Sequence, residues 1–515
     1  DFELYLAKGG KAAWFPCKTT IKDGIKTSVF ANLNHVRWNC WMNVLIFKAG
    51  SKAPEEFNLA MTFCDSSGKA FFTEKIPVKI LEPLKLAPSG SSFENRVYYA
   101  HPFRWIDFND KRAKLANELL DYLKSRGFTS AGYLVNAKKQ PFAVEKGEVI
   151  TNFGRLPYRF NNSKLMTKLL KKYNIPMAMN IGGARSGSEI ETQAVINNGV
   201  SFFTDTLKGT GNKEYLNREL VWINDYEPYA FEGPALQYSF APESLAAFRK
   251  FIGLADKTKL TPRMVAEKYE KQWVKFRCQQ HAEVIKAQYK ALKKFCPQAI
   301  YALSSESLPG SNENQYDFFK QFGVDLRMMD EWTDMHLPMI YSRTTLYYNR
   351  LESCIRQLDK PVMPTITCGY GNSARDPKRL MKIMVGAAFL GAPGVYHWPG
   401  FWGMDANELQ NCQKAMALIA RLEPYFKATI LLYRKNRVSC RGAKEEEFYY
   451  AVRSKDGEYL IFLVNDDKNK TFFPIVRLTE ASAPLYVTEM IGNKTLSSGS
   501  GGGKFSVAQL KKGFY

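Results

Sequence analysis

The sequence predicts an α/β protein built on a (β/α)8 barrel, the TIM-barrel class, flanked by an N-terminal and a C-terminal β-sandwich. Between about residues 96 and 425, short apolar runs alternate with helical segments, the sign of parallel βα units. Eight such runs are present, the number that closes a barrel. On both sides the apolar period falls to two, with turn residues between the runs. Length agrees, since 515 residues at about 150 per domain give roughly three domains. The expected domains are 1–92, 93–427 and 428–515.

The first block contains Asn43 to Phe47, Phe57 to Phe63 and Phe71 to Thr73, separated by Asp-Gly and Ser-Gly turns. Leu84 to Ser92, with Pro88 and Gly90, has linker composition. The eight barrel strands are expected at Val97–Ala100, Thr129–Val135, Pro176–Ile181, Leu220–Asp225, Ile300–Ser304, Met335–Tyr341, Val362–Thr367 and Gly394–Trp398. Between them, Gly127 closes a helix running from Asp110, Thr261-Pro262 opens a long amphipathic helix, and Asp376-Pro377 opens another. Pro228 to Leu260 is longer than an ordinary βα loop and is expected to wall a cleft. Asp325 to Trp332 has helical spacing, which places Asp330 and Glu331 on the outer ring. In the last block, Glu447 to Val452 and Tyr459 to Asn465 form a two-strand pattern around a polar turn. No phosphate-binding glycine motif follows an early strand, which argues against an open doubly wound sheet.

Composition excludes disorder, and the most apolar run, Ile383 to Trp398, is interrupted by glycines and Pro393, so no membrane insertion is expected. Nine cysteines without a C-x-x-C pair or His/Cys ligand spacing indicate neither a zinc site nor a dense disulfide framework, and no metal and no cofactor are expected. Asp1 is not an initiator Met and no apolar leader follows it, so any targeting segment is expected to precede this numbering.

Chemistry in such a barrel sits at the C-terminal ends of the strands. The fourth expected strand runs into Asp225-Tyr226-Glu227-Pro228, two carboxylates two residues apart, which share one side of an extended chain. The fifth leads to Glu306, a third carboxylate on the same rim. Carboxylates facing a barrel mouth suit glycosidic bond cleavage, where one acid protonates the leaving oxygen and another stabilises an oxocarbenium-like centre. The sixth strand ends in Tyr341 and the eighth in His397-Trp398, an aromatic floor for the apolar face of a sugar.

These residues resemble the (β/α)-barrel glycoside hydrolases. Asp225, Glu227, Met339, Tyr341 and Trp398 are similar to the chitinase-type layout, although Ser342 stands where that family has Asp. Glu227-Pro228 also resembles the strand end of the larger retaining clan, with Tyr226 in place of its Asn. The resemblance covers the barrel, and it implies Glu227 as general acid/base. Three mechanisms stay open: retention or inversion with Glu306 as partner, or assistance by Asp225 and Tyr341 to a substrate N-acetyl group.

The charge of +22 favours polyanions. Arg104, Arg185, Arg343 and Arg375 follow the first, third, sixth and seventh strands, and guanidinium forks fit sulfate or carboxylate oxygens two at a time. No helix-turn-helix, RNP-like or zinc-finger pattern accompanies the charge, which points away from nucleic acid. The expected substrate is an anionic polysaccharide of sulfated fucan or galactan type, cut internally by a secreted or periplasmic protein. The alternatives are a neutral or N-acetylated glycan, or a barrel that binds carbohydrate without cleaving it.

Overall fold

The computed structural model describes most of residues 240–478 together with 90–97, and outside these chiefly the strands named below. Eight strands form the barrel: β1 (Glu94–Val97), β2 (Ser130–Leu134), β3 (Met177–Asn180), β4 (Val221–Asp225), β5 (Ile300–Glu306), β6 (Met335–Met339), β7 (Thr365–Thr367) and β8 (Gly394–Trp398). Each pairs in parallel with the next, and β8 closes on β1.

Side chains alternate between two environments. Ile223, Ala302, Met335, Leu337, Met363 and Tyr396 form a cluster inside the barrel. Tyr301, Leu303 and Val395, each one residue out of phase, join a larger cluster between the strands and the helices.

β1 starts at Glu94, three residues before the expected Val97. Charge hid it: Arg96 is buried, ion-paired to Glu94, and donates to the Tyr396 hydroxyl at 2.9 Å. β7 is shorter than expected because Pro364 has no N–H for the ladder, and only an isolated bridge from Val362 to His336 precedes it.

The described helices are α1 (Pro242–Phe251), α2 (Pro262–Lys268), α3 (Glu270–Phe295), α4 (Gln315–Phe322), α5 (Thr344–Gln357), α6 (Lys378–Leu390) and α7 (Ala406–Ala428). Thr261 caps α2 by accepting from the Met264 N–H at 3.2 Å, as its Thr-Pro sequence expects. The expected single helix is in fact two, because the backbone at Tyr269 leaves helical geometry before α3 begins. Asp325 to Trp332 forms two short 3-10 turns instead of a helix. Asp330 there meets His336 Nε2 at 2.8 Å and accepts from the Asp359 N–H at 2.7 Å, below the rim. The segment 110–126 lies outside the described residues.

At about 1.5 Å per residue, the 26 residues of α3 span about 39 Å, against about 23 Å for the seven of β5. Gln288 is level with the end of β4, so the first half of α3 rises past the rim. Trp273 and Phe276 in that half form an aromatic cluster with Phe248 of α1 and Phe240, the Phe240 and Trp273 rings stacked at 4.9 Å. The latter part of the long β4 insertion is therefore anchored beside the mouth.

At the C-terminal end, Ile430–Leu431 (β9), Phe448–Lys455 (β11), Glu458–Asn465 (β12) and Gly513–Phe514 (β17) make one antiparallel sheet. Arg437–Cys440 (β10), Pro474–Arg477 (β13) and Lys504–Ser506 (β16) make a second, and Tyr486–Glu489 (β14) pairs with Lys494–Ser498 (β15). Val452 and Leu463 share a cluster with Val438 and Val476 of the second sheet. The opposite face of β11 and β12, with Tyr449, Ala451, Phe462 and Val464, packs into the barrel's helical layer. Both faces are covered, which is why β12 reads as an unbroken apolar run. Gly386 on α6 allows this contact, since a Cβ there would run into the Tyr348 ring. Arg453 of β11 donates to the carbonyls of Phe389 at 2.7 Å, Phe426 at 2.8 Å and Thr429 at 2.7 Å, satisfying the exposed ends of α6 and α7.

The N-terminal strands are also antiparallel: Phe2–Lys8 lies between Lys11–Phe15 and Val44–Phe47, while Cys17–Lys22 pairs with Ile25–Phe30 and Glu56–Cys64 with Ala70–Lys79. Their assembly into a sandwich lies outside the described residues. Among the described residues, no helix is long and apolar enough to cross a membrane. No cluster of metal-ligating side chains occurs among them either.

Candidate active site

The rim is built where the inward-facing phase of each strand reaches the mouth. On β5, Ala302 is inside the barrel, so Ser304 and Glu306 face inward in turn, and both are buried. Asp225 ends β4 two residues after the interior Ile223 and pairs in register with Ser304. Tyr226 and Glu227 lie just beyond, outside the described residues, as do Arg104, Arg185, Arg343 and Arg375.

A polar knot on the outer side fixes the end of β4. Asn224 Nδ2 donates to Gln288 Oε1 at 2.6 Å and to the Tyr301 hydroxyl at 2.7 Å, and that hydroxyl donates to the same Gln288 oxygen at 2.9 Å. Strand β4, strand β5 and helix α3 are thereby tied together one residue before Asp225. Sequence reasoning passed over Asn224 because it is neither charged nor in the inward phase.

Behind Glu306 stands Arg350 of α5, whose fork grips Glu313 through bonds of 2.8 and 2.6 Å. Glu313 also accepts from the Gly310 N–H at 2.8 Å, which fixes the loop after β5. Burial disfavours the Arg350 charge, but the Glu313 bonds and charge, with Glu306 adding to them, outweigh it and hold the guanidinium pKa above its ordinary value. Burial likewise works against ionised Glu313, and the Arg350 bond overrides it to lower that carboxyl's pKa.

Across the mouth, Tyr341 and Trp398 form an offset-stacked pair, ring centroids 5.6 Å apart at 26°. Trp398 adjoins the interior cluster, while Tyr341 is 40% exposed above it. Met339 is buried at the end of β6, below Tyr341.

His397 departs from expectation. As a strand-end residue it is expected on the rim with Trp398, but neighbouring strand residues face opposite sides, and Trp398 holds the inward position. The imidazole points into the helical layer, fully buried, with Nε2 2.6 Å from Asn95 Oδ1 and its ring 5.5 Å from Phe128, edge to face. Burial pushes its pKa down to about 3. It is a neutral core residue and does not line the mouth.

One basic group near the rim went unseen in the sequence. Arg379, in the first turn of α6, is buried; it donates to the Ser342 carbonyl at 2.9 Å and lies 3.4 Å from Thr367 Oγ1. It begins a helix, so it does not stand among the arginines that follow strand ends.

No family model and no curated protein matches this chain. Solved structures similar to it include the glycoside hydrolase domain of PgaB from Bordetella bronchiseptica, 11% identical, with a TM-score of 0.43, over 63% of this chain and 99% of that one. A GH27 β-L-arabinopyranosidase from Geobacillus stearothermophilus is 11% identical, with a TM-score of 0.44, over 83% and 95%. A maltogenic α-amylase from Thermotoga neapolitana is 8% identical, with a TM-score of 0.44, over 82% and 97%. These neighbours are barrel glycoside hydrolases, and no single family is distinguished among them.

Proposed function

We propose that the protein is a glycoside hydrolase whose chemistry is performed by Glu227 and Glu306. The observation that carries this reading is the register of β4 and β5. Asp225 is the register partner of Ser304, and in this reading the chain carries on past Asp225 so that Glu227 comes beside Glu306. Adjacent strands lie about 4.8 Å apart. In this reading the two carboxyls stand roughly 5 to 5.5 Å apart, the separation of retaining enzymes, and not the 6.5 to 9.5 Å of inverting ones. Glu306, backed by Arg350, attacks the anomeric carbon as a carboxylate while Glu227 gives its proton to the departing oxygen. Glu227 then takes a proton from water, which displaces the sugar from Glu306. The Tyr341–Trp398 pair receives the apolar face of a pyranose ring.

The substrate in this reading is an anionic polysaccharide, of sulfated fucan or galactan type, cut internally. Support comes from the +22 charge and from Arg104, Arg185, Arg343 and Arg375, which follow expected barrel strands. Such a polymer implies action outside the cytoplasm. Residues 93–427 form the catalytic unit, and residues 1–92 and 428–515 flank it.

The test is a panel of neutral, sulfated and uronic polysaccharides digested with the wild type, Glu227→Gln and Glu306→Gln, with products read by mass spectrometry. Proton NMR of the first product gives the anomeric outcome. Retained configuration and loss of turnover in both variants are expected; inverted product would remove Glu306 as nucleophile. Wild-type products from none of the panel would overturn the reading. Activity should also fall with salt, because the Debye length shrinks from about 10 Å at 0.1 M to about 3 Å at 1 M.

A further inference from the structure

We infer that Arg379 is a positioning residue that sets the geometry of the aromatic platform, and so governs substrate affinity without touching substrate. The inference rests on the reading of the rim as a glycan cleft. Tyr341 and Trp398 come from β6 and β8, separated by β7, so no ladder bond joins them directly. Arg379 reaches both sides. Its Nη2 donates at 2.9 Å to the carbonyl of Ser342, the residue after Tyr341. Its Nη1 lies 3.4 Å from Thr367 Oγ1, and Thr367 is the register partner of Trp398. The next residue, Cys368, donates its N–H to the Trp398 carbonyl at 3.0 Å, so the end of β7 is fixed to the end of β8. One planar fork thus joins the segment that carries Tyr341 to the end of β7, which is itself bonded to the strand that carries Trp398.

The surroundings favour rigidity. Arg379 is buried and rooted in α6, whose residues from Leu380 to Leu390 are nearly all buried. The fully buried Tyr347 of α5 feels the Arg379 charge: burial raises that phenol's pKa, and the guanidinium opposes the rise. A guanidinium is suited to this task because its donors leave in fixed directions in one plane, whereas a lysine ammonium presents a single point on a flexible stem. Tyr341, exposed at the edge of the mouth, depends on its loop being held to stay over Trp398.

The experiment compares wild type, Arg379→Met, Arg379→Lys and Thr367→Val, the last removing one anchor with little change of shape. Two readouts are taken. In crystal structures of the free proteins, the Met variant should lose the 5.6 Å stacking of Tyr341 on Trp398, and Lys should restore it only in part. On the glycan that the wild type cleaves, KM should rise about tenfold or more in the Met variant with kcat within about threefold, with Thr367→Val and Arg379→Lys intermediate. A role confined to stability would lower Tm alike in the variants and leave KM in place, which overturns the proposal. An unchanged ring pair in Arg379→Met, or in Thr367→Val if the Met variant does not fold, also overturns it. Should the wild type cleave no glycan, the glycosidase reading falls while the crystallographic arm still decides the clamp.

Discussion

The lower and upper halves of the barrel interior use the same inward-facing positions for opposite ends. Below, Arg96 is buried with Glu94 as its ion-pair partner and Tyr396 as its acceptor, so charge meets charge within the strands themselves. Above, β5 finishes in Ser304 and Glu306, while Trp398 ends β8 and Tyr341 follows β6. There the supporting groups, Arg350, Arg379, Gln288 and Asn224, stand outside the strand ring and leave the mouth to its occupant. Polarity inside a barrel therefore says little about function until one knows which end it faces and where its partners stand.

Substitutions at the two ends should separate accordingly. Glu227→Gln is expected to lower kcat by about 10²- to 10⁴-fold with little change in Tm, since a positioned acid contributes about that much to rate. Arg96→Met should do the reverse. Leaving Glu94 without its partner should cost about 3 kcal/mol in urea-unfolding stability while activity per folded molecule is kept. A loss of kcat without loss of stability in that variant would dissolve the contrast. Tyr341→Ala should raise KM about tenfold, in keeping with the roughly 1.4 kcal/mol of a strong aromatic contact, with kcat nearly unchanged.

A pH effect concerns the outer layer. His397 takes a proton near pH 6.5 when unfolded but only near 3 in the core. Between those values the unfolded chain binds more protons, so stability is full above about pH 6.5 and is lost as pH falls toward 3. His397→Gln, which keeps an amide beside Asn95, should flatten that part of the pH dependence of urea midpoints. An unaltered slope would assign it to other groups, among them His336, whose pKa burial also lowers.

Much of the architecture was readable because the barrel's core strands are apolar and bounded by turns. β8 lies at Gly394–Trp398 as expected, and β2, β3 and β4 differ from expectation by a residue or two at their ends. β1 was displaced because Glu94 and Arg96 make a core strand look like a solvated one. β5 ran two residues beyond its expected end because Ser305 and Glu306 are polar yet buried at the rim. His397 was placed with Trp398 although the period-two rule, applied from Tyr396, separates them. Arg379, Asn224 and Arg350 gave no signal, since each acts through hydrogen bonds to residues distant in sequence. Glu227 and the four rim arginines lie where the described residues do not reach, and they stand on the sequence argument.

The grip of Arg453 on the ends of two barrel helices bears on how such a protein is inherited. A recombination point at residue 428 would part that arginine from the carbonyls of Phe389 and Phe426, and would strip Phe462 from the rings of Tyr348 and Phe389. The barrel could not then be handed to a new fusion partner at that seam without first acquiring a substitute cover. The C-terminal sheet nearest the helices should travel with the barrel as one heritable block, leaving exchange to points farther from this seam.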